Sequence, residues 1–141
     1  MSRKRAALAG GLAAAGWAAL EPIDRRLLAH DYSDVAMLGK LVTRSRFWPV
    51  AGLAVHVANG AMFGLMFEGV RRRTDAPPRR LALGLALTEN VALFPLASLI
   101  DRYHPARGEP GLAPLATKRG LAQATVRHAL FGTLLGAVAT R

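Results

Sequence analysis

The chain alternates long apolar stretches with short polar ones, and four of the apolar stretches have the length of a membrane-spanning helix. The hydrocarbon core of a bilayer is about 30 Å thick, so a spanning helix needs about 20 mainly apolar residues. Pro22 is expected to kink or end the first span, because proline has no backbone N–H to donate. The fold class we predict is all-α, a four-transmembrane-helix bundle in a single integral membrane domain covering residues 1–141. Its spans are predicted at residues 6–22, 50–70, 81–100 and 120–140.

The stretch between the first two spans has a helical pattern of its own. Ser33 can cap a helix, and Asp34 would lie in its first turn, near the positive end of the helix dipole. The apolar residues that follow fall on one face: Val35, Leu38, Leu41 and Val42. We therefore predict an amphipathic helix over Ser33–Arg46 at the outer membrane surface, with Phe47 and Trp48 as interfacial anchors.

The distribution of basic residues predicts the orientation of the chain in the membrane. Basic residues cluster before the first span, in Arg3–Arg5, and in the connection Arg71–Arg80, where Pro77-Pro78 predicts a tight, non-helical turn. The other two connections mix acidic and basic residues, and Asp101–Arg119 contains three prolines that predict an irregular loop. Because positive residues favour the cytoplasmic side, both termini and the Arg71–Arg80 connection are predicted to be cytoplasmic.

Composition narrows the class of protein further. The chain has no cysteine, which excludes disulfides and thiolate metal sites, and 52% of its residues are apolar. A net charge of +10 is typical of nucleic-acid binding, but here the basic residues flank apolar runs, so no nucleic-acid partner is predicted. The predicted partner is the lipid bilayer of the bacterial plasma membrane, crossed in several passes. A cleaved signal peptide ending near Trp17 is the alternative to an uncleaved first span, which we favour.

Two helical stripes repeat the pattern His-x-x-x-Gly-x-x-x-Gly. Residues four apart share one face of a helix, and small residues at that spacing let helix backbones approach closely in lipid. We predict that the glycines pack the second span against the fourth, or one protomer against another in a homo-oligomer. The stripes contain His56 and His128 with the packing glycines Gly52, Gly60, Gly64, Gly132 and Gly136, and the first stripe ends at Glu68.

The two stripes belong to a larger internal similarity. Ile23-Asp24-Arg25 corresponds to Ile100-Asp101-Arg102 at an offset of 77 residues, and His56 corresponds to His128 at an offset of 72. Each half would contribute two spans, so the halves would form two parallel two-helix repeats. Chance similarity between helices rich in Ala, Gly and Leu is the alternative.

Several polar side chains lie near the predicted membrane midplane. Ionisable groups at that depth are costly unless they pair or face a hydrated cavity, so Glu89 is expected to pair with Arg127 or a histidine. Such a pair is either a structural ion pair or a proton or ion site. The histidines could hydrogen-bond the two asparagines, ligate a haem from two helices, or bind a metal ion with Glu89. The members of this polar belt are His56, Asn59, Glu89, Asn90, Arg127 and His128.

The chain carries no Gly-x-Ser-x-Gly, His-Glu-x-x-His or phosphate-loop motif, so the sequence does not support an enzyme, and the first interpretation includes no cofactor or metal. The first interpretation is a non-enzymatic plasma-membrane protein that self-associates through its glycines. A small proton- or ion-coupled transporter or channel using Glu89, His56 and His128 is the second. A bis-histidine haem-binding membrane protein is the third.

The order of these features resembles a group of small uncharacterised bacterial inner-membrane proteins. The resemblance rests on a first span that ends in Glu21-Pro22 and on later spans that open on His56 and His128. It covers most of the chain and implies an integral membrane protein, with no implied activity.

Overall fold

The computed structural model describes residues 1–140, and within them the chain is all-α with no β-sheet. A short 3-10 turn, Phe94–Leu96, joins the helices Pro78–Leu93 and Ala97–Tyr103, so that Pro78–Tyr103 runs as one long helical stretch. Within residues 1–140, one isolated antiparallel β-bridge joins two loops, Tyr32 with Leu112. The helices are α1 (Arg3–Leu27), α2 (Asp34–Val42), α3 (Trp48–Arg71), α4 (Pro78–Leu93), α5 (Ala97–Tyr103) and α6 (Lys118–Ala139).

Three helical stretches are long and apolar enough to cross a membrane: Arg3–Leu27, Trp48–Arg71 and Pro78–Tyr103. They correspond to the first three predicted spans. The fourth predicted span coincides with α6, which at 22 residues is about 33 Å long. That helix is not among the three, because polar residues such as Gln123 and Arg127 interrupt its apolar stretch.

Pro22 does not end the first helix, which was one of the two effects expected of it. Helix α1 continues beyond the proline as far as Leu27. The side chains on either side of Pro22 are anchored to other elements, since Glu21 accepts hydrogen bonds from the start of α2 and Asp24 binds α6. These tertiary contacts offset the single backbone hydrogen bond that the proline removes.

The predicted amphipathic helix in the first outer loop exists, but it is shorter than expected. Ser33 caps it by accepting a hydrogen bond from the Ala36 N–H at 3.0 Å, and the helix ends at Val42 rather than at Arg46. Trp48 begins α3. Helix α2 packs so closely on α3 that a Cβ atom added at Gly52 would overlap the Val35 carbonyl of α2.

The long helices associate in two glycine-packed pairs, α1 with α3 and α4 with α6. A Cβ atom at Gly64 would overlap the Ala6 carbonyl of α1, and one at Gly132 would lie 2.8 Å from the Leu83 Cα of α4. The prediction that the glycines join the second and fourth spans is therefore wrong. The two pairs meet mainly where α1 contacts α6, whereas α3 and α4 make few contacts.

Ion pairs and backbone hydrogen bonds tie the two loops at one end of the bundle together. The Asp31 carboxylate accepts the Gly111 N–H at 2.9 Å and pairs with Arg25, and these contacts hold the pKa of Asp31 below its ordinary value. Glu109 pairs with Lys40 at 3.2 Å and with Arg44, which lowers the pKa of Glu109 as well. The second loop is irregular, as its three prolines predicted.

The opposite end of the bundle carries a compact ionic cluster around Glu68. The carboxylate lies 3.3 Å from the Met1 ammonium, and it accepts hydrogen bonds from Arg71 at 2.7 Å and from Arg72 at 2.9 Å. The amino terminus and the connection between α3 and α4 therefore share one end of the bundle, opposite the two longer loops.

Candidate functional site

The most buried charged side chain of the bundle is Arg127 of α6, which is 1% exposed. Its Nε donates to Asp24 Oδ2 at 2.6 Å and its Nη2 donates to Asp24 Oδ1 at 2.7 Å, a two-pronged contact with α1. Its Nη1 donates to Asp34 Oδ2 at 2.6 Å, and its Nη2 also donates to the Tyr32 carbonyl at 2.8 Å. One side chain thus joins α6, α1 and the start of α2.

Glu89 was expected to pair with Arg127 or with a histidine, and it is His128 Nε2 that lies beside it, at 3.8 Å, whereas Arg127 binds Asp24 and Asp34. Asp24 was expected to lie beyond the end of the first span, and Asp34 in the helix of the first outer loop. Helix α1 instead continues past Pro22, and the loop folds back over the bundle, which brings both carboxylates to the arginine. The spacing along the chain, 103 residues from Asp24 to Arg127, carries no signal of this contact.

A third carboxylate completes the cluster around Arg127. Glu21 accepts the Ser33 hydroxyl and the Asp34 N–H, the latter at 2.9 Å, and it lies 3.8 Å from the guanidinium. Three carboxyl groups thus surround one guanidinium, so acidic groups outnumber the cation at a buried position. Buried charges are costly when they are not balanced, so the cluster favours an additional proton or cation.

Several buried polar atoms around this cluster have no partner in residues 1–140: Trp17 Nε1, His30 Nε2, Tyr32 OH, His56 Nε2 and Gln123 Oε1. The Gln123 amide donates to Asp24 at 2.8 Å and to the His30 carbonyl at 3.1 Å, while its oxygen is left unpaired. Burial lowers the pKa of His30 and raises that of Tyr32, so both side chains are neutral at pH 7. Unpaired buried polar atoms are uncommon in folded proteins and often mark a place where a ligand or water binds.

Trp17 lies at the centre of the bundle between the two repeated histidines. Its ring centroid is 5.1 Å from that of His56 and 4.9 Å from that of His128, edge to face in both cases. His128 Nδ1 hydrogen-bonds the Ala124 carbonyl at 2.8 Å, and its Nε2 lies 3.8 Å from Glu89. The structure thus brings both histidines to one aromatic side chain, which the sequence analysis did not single out.

The two asparagines of the predicted belt have other roles than hydrogen-bonding the histidines. Asn90 donates to the Thr125 hydroxyl at 3.0 Å and so links α4 to α6. Asn59 lies in the wall of a cavity beside His56. The prediction that these asparagines satisfy the histidine rings is wrong.

Two adjoining cavities, of about 200 Å³ and 230 Å³, open around Trp17. The first lies against the arginine cluster and is lined by Tyr32, Gln123 and Arg127. The second lies between α3 and α4 and is lined by His56, Asn59 and Glu89. Both cavities share the wall residues Trp17, Asp34, Met37, Leu93 and His128.

The geometry does not suit the haem or metal site considered from the sequence. The Trp17 indole contacts both histidine rings, and His128 Nε2 faces Glu89 instead of an open ligand position. No group of three His, Asp or Glu side chains within residues 1–140 is arranged to hold a metal ion. Haem ligation would need both Nε2 atoms to face one iron atom, so Trp17 would have to move.

Comparison with known protein families, characterised proteins and solved structures finds no match to this chain. The chemistry available at the site follows from its own side chains. Glu89 lines the second cavity, and its neighbour His128 lines both cavities, as do Asp34 and Trp17.

Proposed function

We propose that the chain is a multi-pass protein of the bacterial plasma membrane in which α6 is the fourth span. The support is the distribution of side chains on that helix. Gln123 and Arg127 point into the bundle and are 1% exposed, whereas Leu121 and Val126 are 42% and 51% exposed on the outside. A helix with polar residues inward and apolar residues outward suits a lipid environment even when its mean hydropathy is modest.

The proposed topology can be tested with single cysteines, because the chain has none of its own. Asp75→Cys, Arg107→Cys and Thr140→Cys place a thiol in the connection between α3 and α4, in the second long loop, and after α6. In intact cells, a membrane-impermeant maleimide is expected to label only Arg107→Cys, and the other two only after lysis. Labelling of Thr140→Cys in intact cells would mean that α6 does not cross the membrane.

We further propose that the protein is a small proton-coupled transporter, with no enzymatic activity. The observation that carries this proposal is the Glu89–His128 pair, 3.8 Å apart, in the wall of the cavity between α3 and α4. A carboxyl group and an imidazole ring can each bind and release a proton, so the pair can hold a proton in the cavity wall. The cavity lies between two glycine-packed helix pairs that share few contacts on that side, so the pairs can move relative to each other as units.

Proton flux into liposomes tests this activity. Wild-type protein is expected to dissipate an imposed pH gradient, and Glu89→Gln to reduce the rate about tenfold or more, because a neutral amide cannot carry the proton. Glu109→Gln, which removes a carboxylate from the outer loop, is the matched control and is expected to retain the wild-type rate. Equal rates in wild type and Glu89→Gln would refute the proposal.

Self-association through the glycine stripes, the first interpretation from the sequence, loses its main support. Gly60 and Gly64 are buried against α1, Gly132 and Gly136 against α4, and Gly52 against α2. These faces are occupied within one chain, so a homo-oligomer would need another surface.

A further inference from the structure

We propose that the two cavities bind a small lipophilic amine in its protonated form, one aromatic or branched aliphatic group carrying an ammonium head. This inference rests on the proposed transport function and names the class of its substrate. It follows from the charge, the unpaired acceptors and the shape of the space around Trp17.

Charge favours a cation in this space. The acidic groups in or directly behind the cavity walls are Glu21, Asp24, Asp34 and Glu89, and among residues 1–140 Arg127 is the one permanent cation that lines the cavities. Asp24 occupies two of the guanidinium nitrogens and Asp34 a third, so the arginine is already neutralised by its own partners. An ammonium group entering the cavity would reduce the remaining excess of negative charge, whereas a carboxylate or phosphate would increase it.

Unpaired acceptors favour a head group with N–H donors. Gln123 Oε1 and Tyr32 OH belong to side chains that line the first cavity, are 1% and 2% exposed, and have no hydrogen-bond partner within residues 1–140. Both oxygens can accept a hydrogen bond. An ammonium has several donors for such acceptors, and the Trp17 ring in the same wall offers the aromatic surface on which cations bind.

The size and the lining of the space favour a small apolar body. A closed cavity of about 150 Å³ accommodates a benzene ring, and the two cavities here are about 200 Å³ and 230 Å³. Leu93 and Met37 contribute apolar wall to both, and Leu93 is 51% exposed on the outside of the bundle. The space therefore lies close to the lipid-facing surface between α3 and α4, from which a lipophilic amine can enter.

Binding can be followed through Trp17, because the chain has only two tryptophans. In Trp48→Phe, the remaining indole lies in the wall of both cavities and reports on them. Titration of the purified variant with 2-phenylethylammonium is expected to change its fluorescence saturably. The same titration with 2-phenylethanol, a neutral molecule of similar shape, and with 3-phenylpropanoate, an anion, is expected to give at least about tenfold weaker binding. Trp17→Phe, which leaves only Trp48, is the background control.

Two further variants distinguish a specific site from partition into detergent. Glu89→Gln removes one acidic wall residue that is 38% exposed at its side chain, and it is expected to weaken binding about tenfold. Ala124→Leu fills part of the first cavity and is expected to weaken the binding of both the ammonium and the alcohol. Equal binding of the ammonium and the alcohol to Trp48→Phe, or no saturable change, would overturn the inference.

The failure of this inference and that of the proposed function are separable. Amine binding without proton flux would support the proposed ligand class and refute the proposed transport function. Proton flux that depends on Glu89, without amine binding at Trp17, would retain transport and reject the ligand class.

Discussion

Replacement of Arg127 by methionine is expected to destabilise the protein by about 3–5 kcal/mol, the range observed when one partner of a buried ion pair is removed. Methionine fills a similar apolar volume but leaves Asp24, Asp34 and Glu21 without the cation that they surround. The helical signal in detergent, followed by circular dichroism on heating, measures the loss. The midpoint temperature of unfolding should fall steeply, or folded protein should not be recovered.

Arg119→Met is the matched control on the same helix. The Arg119 side chain is exposed and donates one long hydrogen bond, at 3.4 Å, to the Ala29 carbonyl. Its replacement is expected to change stability by no more than about 0.5 kcal/mol. Arg127→Met combined with Asp24→Asn should recover part of the loss, because it removes one of the unpaired carboxylates. Equal stability of Arg127→Met and Arg119→Met would contradict the role of the cluster.

The local pattern of the sequence was sufficient to predict the helices. The apolar stretches of the first three spans and the Ser33 cap are each determined by neighbours in the chain, and each is found where it was expected. The connection after α3 is non-helical as far as Pro77, but Pro78 already begins α4. Helix boundaries were less accurate, as at Pro22 and Val42, because contacts from distant residues decide whether a helix continues.

The partners of the polar groups could not be predicted in the same way. Depth along the predicted spans suggested that Glu89 and Arg127 lie at one level, but depth does not determine which helix faces which. Asp24 reaches the arginine because α1 continues past Pro22, and Asp34 because the first loop folds back over the bundle, and each contact joins residues about 100 positions apart. Trp17 was missed because an apolar ring in an apolar helix has no distinguishing pattern.

The internal duplication remains a prediction, and the packing supports it in one respect. In each half, the glycines that follow the repeated histidine pack on the helix that opens that half. A Cβ atom added at Gly60 would lie 2.5 Å from the Ala14 Cβ of α1, and one added at Gly132 would lie 3.0 Å from the Ala86 Cβ of α4. These two pairs of residues are both separated by 46 positions, so the same device recurs at the same spacing.

Gly64→Ala is expected to destabilise the protein by about 1–3 kcal/mol, the usual cost of forcing an extra methyl group into close packing. The added Cβ would overlap the Ala6 carbonyl and lie 3.1 Å from the Gly10 nitrogen. Both are backbone atoms, which cannot rotate away as a side chain could. Relief therefore requires that α1 and α3 separate along their whole contact. Thermal unfolding in detergent measures the effect.

Gly84→Ala, in the same bundle, is expected to have the opposite effect on the free energy of unfolding. Gly84 lies in the middle of α4, and no neighbouring atom of the described residues 1–140 is within 4 Å of the position that its Cβ would occupy. Alanine there is expected to be neutral or to stabilise the helix by up to about 1 kcal/mol, because glycine costs conformational entropy in a helix. If Gly64→Ala instead left stability unchanged and altered only the oligomeric state, the stripe would join protomers. Loss of stability in the monomer is the result expected from a glycine face that is already filled by α1.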